Sequence, residues 1–301
     1  MSQSLLISVV IPCRGHAEVL SDCLHAALQQ ETPAPYEVIV VDSAADPAVA
    51  RVAERFAGVR LLRHEGGLLA GEARNLGVEA ACGEYLAFTD ADCTPERGWL
   101  RAALDALQGD ARLVGGPIGD ALPLHPVAVS DNLLQFADFA VGRPDGEARN
   151  IPACNMAVSR LDFVELGGFV HQRGMVAEDT ALCTKALEYW PDGVRFVQAM
   201  RVRHRGRTQI REFMHHHYGF GVARGAQRIH LSPMQVRLAR LAILIPLTAL
   251  WRLRYIFDRV LRWRTRAIVP LFLLLPLIAP GLVAWSIGLW RGLRAADGRV
   301  V

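Results

Sequence analysis

The chain has 301 residues, 51% of them hydrophobic, with 33 Lys plus Arg against 30 Asp plus Glu and a net charge of +3. That apolar content excludes intrinsic disorder, and the absence of a fixed period excludes collagen-like and repeat architectures. The small net charge conceals an asymmetry: residues 1–230 hold 22 basic and 28 acidic side chains, a net of −6, whereas residues 231–301 hold 11 Arg against Asp258 and Asp297, a net of +9. A basic tail that is also apolar is expected to meet an anionic membrane surface rather than nucleic acid.

The apolar run from Leu5 to Pro12 reads as a first buried strand, too short for the core of a signal peptide. Ala17 to Gln30 follows as an amphipathic helix, with Val19, Leu20, Cys23, Leu24, Ala27 and Leu28 near a spacing of about 3.6 residues. Glu37 to Asp42 is a second strand, Pro47 to Phe56 a helix, Val59 to Arg63 a short strand, and Gly71 to Ala81 a helix closed by Gly83. Tyr85 to Asp90 supplies another strand. Apolar, β-branched runs without two-residue alternation suit strands buried on both faces, so the first 115 residues predict a βαβαβαβα wind with a mostly parallel sheet. The expected fold class is α/β, a Rossmann-like mixed and mostly parallel sheet flanked by helices, with C-terminal hydrophobic helices. One domain over 1–230 and a basic, membrane-associated helical tail over 231–301 are expected. The six cysteines form no C-x-x-C pair, so neither a zinc site nor a disulfide scaffold is suggested.

In open α/β sheets, ligands bind beyond the carboxyl ends of the strands. Here those ends read Pro12-Cys13-Arg14-Gly15, Asp42-Ser43 and Asp90-Ala91-Asp92. No G-x-G-x-x-G follows the first strand and no G-x-x-x-x-G-K-[ST] occurs anywhere, which removes the main support for a dinucleotide dehydrogenase or a P-loop NTPase. Asp90 and Asp92 just past a strand can direct two hard carboxylates at one point, as suits Mg²⁺ or Mn²⁺ shared with a substrate diphosphate.

Taken in order, Ser8-Val9-Val10-Ile11-Pro12, Val40-Val41-Asp42-Ser43, Ala73-Arg74-Asn75-Leu76-Gly77, Tyr85-Leu86-Ala87-Phe88-Thr89-Asp90-Ala91-Asp92, Gly167-Gly168-Phe169 and Glu178-Asp179 resemble the family 2 glycosyltransferases, inverting enzymes of the GT-A fold. The resemblance covers about residues 7–225. It implies a nucleotide-diphosphate sugar as donor, an acceptor hydroxyl, a divalent cation and no nucleic-acid partner. It also implies that Asp42 meets the base or ribose, that Pro12, Cys13 and Arg14 line the nucleoside pocket, and that Asp92 is the principal metal ligand. Asp90 would contact ribose, sugar or metal. Asp179, in the Glu178-Asp179 pair, would deprotonate the acceptor, and Asn155 and Gly168 would lie on the acceptor side. Where the family commonly reads D-D-G-S, this chain has Asp42-Ser43-Ala44-Ala45-Asp46.

Arg74 and Asn75 are expected to reach the donor, Arg74 through its fork toward phosphate or base; the alternative is an exposed Arg paired with Glu72 or Glu79. His204 is expected beside the metal or diphosphate, since a neutral imidazole suits that ion. His215-His216-His217 cannot ligate one ion together, because successive helical residues point about 100° apart, and they are expected on a surface or membrane-proximal helix face. Arg224 or Arg228 is a further candidate to reach the diphosphate. No Q-x-x-R-W is present around Arg262-Trp263, which disfavours processive synthesis.

Residues 267–290 form a run of 24 uncharged residues interrupted by Pro270, Pro276, Pro280 and Gly281, compatible with a kinked span or a re-entrant hairpin. Leu241 to Trp251 suits an interfacial helix. Between them Arg252 to Arg266 holds six Arg and one Asp among Tyr255 and Trp263, the composition of a cytoplasmic membrane interface. The expected activity is therefore non-processive, inverting and metal-dependent transfer to an acceptor at that membrane face, with a lipid-linked acceptor among the candidates. A sugar-nucleotide nucleotidyltransferase and an inactive membrane-bound binding protein are the rival classes.

Overall fold

The computed structural model describes residues 6–170, 177–227, 234, 236–237 and 241–296. Two compact units emerge, one from residues 1–121, 144–171 and 178–204, the other from residues 122–143, 172–177 and 205–301. The expected boundary at 230 lies outside the described residues.

The first unit alternates β1 (Ile7–Cys13), α1 (Ala17–Leu28), β2 (Tyr36–Asp42), α2 (Pro47–Ala53), β3 (Val59–Arg63), α3 (Ala70–Ala80) and β4 (Tyr85–Thr89). It continues with β5 (Cys93–Pro95), α4 (Trp99–Leu107), β6 (Leu113–Gly115) and β7 (Ile118–Asp120), and later β8 (Gly146–Glu147), β9 (Asn155–Ser159), α6 (Arg160–Glu165), α7 (Glu178–Tyr189), β10 (Val194–Phe196) and β11 (Val202–His204). The main sheet runs β3-β2-β1-β4-β9-β6-β10-β8, and β5-β11-β7 form a smaller one. β1 pairs in parallel with β2 and β4, and the register sets Cys13 opposite Asp42. The carboxyl ends of β1 and β2 thus lie side by side.

The expected alternation holds through β4, because β-branched runs such as Val38–Val41 are fully buried between helix layers. β9 supplies an antiparallel member of the expected mixed sheet. It inserts antiparallel between β4 and β6, matching Thr89 with Asn155. Five residues without alternation carry no signal of direction, so only long-range pairing decides it. Gly83 is not a left-handed helix cap; a Cβ there would meet the Ser8 backbone nitrogen at 2.6 Å, so it admits close approach to β1.

The second unit holds α5 (Pro126–Gln135), α8 (Ile210–Gln227), α9 (Ile245–Trp263), α10 (Ile268–Leu273) and α11 (Leu275–Ala296). Its core joins Leu133, Leu134, Phe213, Ala249, Ile256, Val260, Leu271, Ile278 and Leu282. α8 and α11 pack backbone to backbone through reciprocal glycines. A Cβ on Gly221 would lie 2.0 Å from the Trp285 carbonyl, and one on Gly288 would lie 2.1 Å from that of Tyr218. The uncharged run is broken: residues 265–273 and Leu275–Ala296 meet at 84°, and no single described helix is long and apolar enough to cross a membrane. α11 turns one face, including Ile278, Trp285, Leu289 and Leu293, into the unit's interior.

Candidate active site

Arg74 organises the acidic end of the sheet. α3 lies tight on β1 because Gly77 presents no Cβ to Val10, and this carries the Arg74 side chain inward until only 3% of it is exposed. Its fork donates to Asp90 Oδ1 at 2.6 Å and to Glu178 Oε1 at 2.8 Å. The alternative pairing with Glu72 or Glu79 is not the one made: Glu72 instead accepts from the Leu69 amide at the start of α3. Arg74 therefore ties the end of β4 to the start of α7, elements more than eighty residues apart. The two carboxylates more than offset its burial and hold the guanidinium in its charged form.

Asp92 stands beyond β4 with His204 Nε2 at 3.3 Å from its Oδ2. β11, paired antiparallel with β5, brings His204 opposite Cys93. Asp92, Cys93 and His204 each offer one ligand atom within 4.8 Å of the others. A carboxylate and an imidazole suit Mn²⁺ or Mg²⁺ better than a thiol does. Cys93 is buried, and its hydrogen bond to Cys154 together with burial keeps it protonated, so Asp92 and His204 are the fitting pair. Cys93 is an unexpected member of this cluster, since nothing in its spacing distinguishes it from the other buried cysteines.

Asp179 accepts from the Thr180 amide at 2.6 Å and from the Ala153 amide at 3.3 Å. Burial, and then the charge of Glu178, push its carboxyl up to about 6. Such a group is ionised at neutral pH yet basic enough to take a proton. Glu178, by contrast, is engaged by Arg74, which assigns it to holding the site together.

Asp42 is fully buried at the end of β2. One carboxylate oxygen accepts from the Ala44 amide at 3.2 Å, whereas Oδ2 has no hydrogen-bond partner among the described residues, Arg63 Nε standing 3.9 Å away. An orphaned, buried acceptor of this kind is costly unless a ligand donor meets it. Pro12 is half-buried and Arg14 exposed beyond it. Cys13 donates to the Gly15 carbonyl, and burial beside Asp42 pushes its thiol up to about 12, so it lines the strand end as a neutral group.

Three expected binding residues have other occupations. The Asn75 amide clamps the Phe169 backbone, donating to its carbonyl at 2.8 Å and accepting from its amide at 3.1 Å. Asn75 thus secures the Gly167-Gly168 turn, and Gly168 at φ +69 is the hinge of that turn, closed in by Asn75 and Phe163. Phe169 lies buried edge-on to Phe88 and Phe163. Asn155 is 0% exposed; it accepts from Trp99 Nε1 at 2.8 Å and donates to the Pro117 and Met200 carbonyls. Its amide joins α4 to the sheet.

The histidine run on α8 is also corrected in part. His217 is fully buried, with Nε2 at 2.9 Å from Asp131, whose other oxygen accepts from Arg207. His215 is exposed. Arg228 lies outside the described residues.

Residues 8–121 match the family described as "Glycosyl transferase family 2". The matched segment is similar to that family over somewhat more than a third of the chain. It ends with β7 and contains Arg74, Asp90 and Asp92 but neither Asp179 nor His204. The chain is 33% identical over 123 residues to glycosyltransferase AglE of Haloferax volcanii, a match covering 39% of this chain and 40% of AglE. It is 26% identical over 218 residues to the pre-mycofactocin glycosyltransferase of Mycobacterium tuberculosis, covering 69% and 44%. The chain thus spans less than half the length of these two relatives. The structure is similar to that of the mannosyltransferase PcManGT from Pyrobaculum calidifontis in complex with GDP-Man and Mn²⁺, with a TM-score of 0.55, 19% identity and coverage of 94% and 86%. That likeness shows a shared α/β fold of the GT-A type.

Proposed function

We propose that the protein is an inverting, metal-dependent and non-processive glycosyltransferase that moves a sugar from a nucleotide-diphosphate sugar to an acceptor hydroxyl. The observation that carries this reading is Arg74, which joins the Asp90 strand end to the Glu178-Asp179 helix and so gathers donor-side and base-side carboxylates in one site. The orphaned Asp42 oxygen supports it, because a nucleobase or ribose donor would satisfy that atom.

Asp92 and His204 would hold the divalent cation, which when bound neutralises the charge that develops on the leaving diphosphate. Asp179, ionised above its raised pKa of about 6, takes the proton of the acceptor hydroxyl. The oxygen forms its bond to the anomeric carbon as the bond to the diphosphate breaks and the electron pair leaves with the nucleotide, so one displacement inverts the centre. Asp90 is held by Arg74 with one oxygen, which leaves the other for the donor. Glu178 keeps Arg74 in place from the opposite side.

The second unit carries the membrane part of the proposal. Leu241, Ile243, Leu247, Leu250, Val269, Phe272 and Leu273 are exposed on and around α9 and α10, where six Arg also lie between positions 252 and 266. Apolar side chains beside arginines favour a helix lying in the plane of an anionic leaflet. These features support the proposal that the protein works at the cytoplasmic face of a cell membrane, with a lipid-linked molecule among the candidate acceptors.

Incubation of the full chain with labelled uridine, guanosine and thymidine diphosphate sugars, with and without Mn²⁺, tests the catalytic part. Transfer that needs metal and disappears in Asp92→Ala and Asp179→Asn is expected; full activity in both variants would remove the proposal. Fractionation of the full chain with phosphatidylglycerol vesicles tests the membrane part, and failure to sediment with them would remove it.

A further inference from the structure

Asp138, at the end of the segment that follows α5, is engaged by a group of cationic and hydroxyl side chains. Arg259 Nε donates to its Oδ1 at 2.7 Å, the Tyr255 hydroxyl bonds its other oxygen, and Arg143 donates to its backbone carbonyl at 3.0 Å. Asp258, the other carboxylate nearby, pairs with Arg259 at 2.8 Å and with the outward Arg262 at 3.1 Å. Two further guanidinium groups, on α8 and α9, have no carboxylate of their own among the described residues. Arg252 donates to the Leu134 carbonyl at 2.9 Å and lies over the Trp285 ring at 4.1 Å. Arg224 is largely buried, its Nε has no hydrogen-bond partner among the described residues, and it lies within electrostatic reach of Arg252, Tyr255 and Asp138.

This arrangement is expensive in isolation. A largely buried cation is tolerated when a paired anion offsets its lost hydration, and these two neighbouring ones repel each other while the carboxylate within reach of Arg224, Asp138, is already engaged by Arg259 and Tyr255. Burial and the charge of Arg224 together push Arg252 down to about 9, the direction expected of a cation lacking its partner. Arginine forks suit the oxygens of phosphate, and Trp285 and Leu134 fix Arg252 in advance.

We propose that Arg224 and Arg252 form a binding site for a phosphate monoester or diphosphate group, with Arg143, Arg259 and Tyr255 as its wall around Asp138. All of its residues belong to the helical unit. Its occupant is defined by chemistry, a phosphate carried either by a lipid headgroup or by a free small molecule, and the proposal does not depend on the transfer reaction.

The test uses the full-length protein in chelator, so that no metal-linked nucleotide binding contributes. Thermal midpoints are measured against inorganic phosphate and pyrophosphate, with chloride at matched ionic strength as reference. Flotation is measured with phosphatidylcholine vesicles, with and without phosphatidic acid or a polyprenyl phosphate. The expected result is a midpoint that rises with phosphate concentration above the chloride reference, or flotation that needs the phosphate headgroup. The first outcome alone identifies a free phosphate, the second alone a lipid one. Among the described residues no hydrogen bond from Arg224 holds the helical unit together, so Arg224→Gln is expected to fold, to melt no lower than the parent, and to weaken the phosphate response roughly 30-fold or more. Arg252→Gln is expected to weaken it likewise, while Arg101→Gln, on the exposed face of α4, leaves it unchanged. Absence of any phosphate response in the parent, or an undiminished response in both Arg224→Gln and Arg252→Gln, overturns the assignment.

Discussion

Replacing Asp179 by Asn is expected to stabilise the protein at neutral pH while removing its activity. Burial and Glu178 hold the folded carboxyl at about 6, against an unfolded value of about 3.9. Because the folded pKa is the higher, protonation favours the folded state: the group's stabilising contribution is complete below about pH 4 and is lost as the pH rises through 6. Two pH units correspond to about 3 kcal/mol withheld from the folded protein at pH 7.5. An Asn can still accept from the Thr180 amide, but its NH₂ would face the Ala153 amide, which costs about 1 kcal/mol. The variant should therefore gain about 2 kcal/mol at pH 7.5, or roughly 4–6 °C in Tm. At pH 4 the gain should vanish and turn into a small loss. Parallel calorimetric melts of both proteins in chelator at the two pH values measure this difference directly. A variant that melts lower than the parent at pH 7.5, or a difference that does not change with pH, would refute the reasoning.

Other perturbations follow from the same geometry. Arg74→Met should cost about 2–4 kcal/mol in urea unfolding at pH 7.5, because Asp90 and Glu178 lose their shared partner while partly buried, and the cost should shrink in acid as Asp90, whose pKa burial raises, takes up a proton. His204→Gln should weaken Mn²⁺ binding about 10-fold or more by titration calorimetry with little change in Tm. An unchanged Mn²⁺ affinity would take His204 out of the metal pair. Gly288→Val should destabilise by about 3 kcal/mol or more, since its Cβ meets the Tyr218 carbonyl at 2.1 Å and both sides of the contact are helix backbone. If catalysis uses Asp179, kcat should fall tenfold per pH unit below about 6, and a flat acid limb between pH 5 and 7 would assign the proton to another group.

Much of the first, α/β unit is legible in the order of residues along the chain. Buried runs such as Val38–Val41 specify strands by composition alone, and the polar residues at their carboxyl ends, Asp42, Asp90 and Asp92, mark where a ligand must lie because β1, β2 and β4 all point the same way. Side-chain partners across long separations are less legible. The sequence presents Arg74, Asn75 and Asn155 as polar binding candidates, yet one keys two carboxylates together, one clamps a turn and one braces α4. Residue type states what a side chain can bond, and only the packed chain states what it does bond.

The helical unit shows the same division. Residues 231–301 by themselves establish a basic, apolar segment suited to an anionic interface, since charge and hydropathy are properties of composition. How that segment is used depends on its packing. Glycines 221, 225, 288 and 292, unremarkable as spacing, let α8 and α11 touch at the backbone, so that much of the uncharged run is core rather than lipid-facing surface. The arginines near Asp138, namely Arg143, Arg224 and Arg259, come from the segment after α5, from α8 and from α9, and no short window of sequence contains them together. Their mutual influence exists only after folding, because it depends on distances that the chain order leaves open.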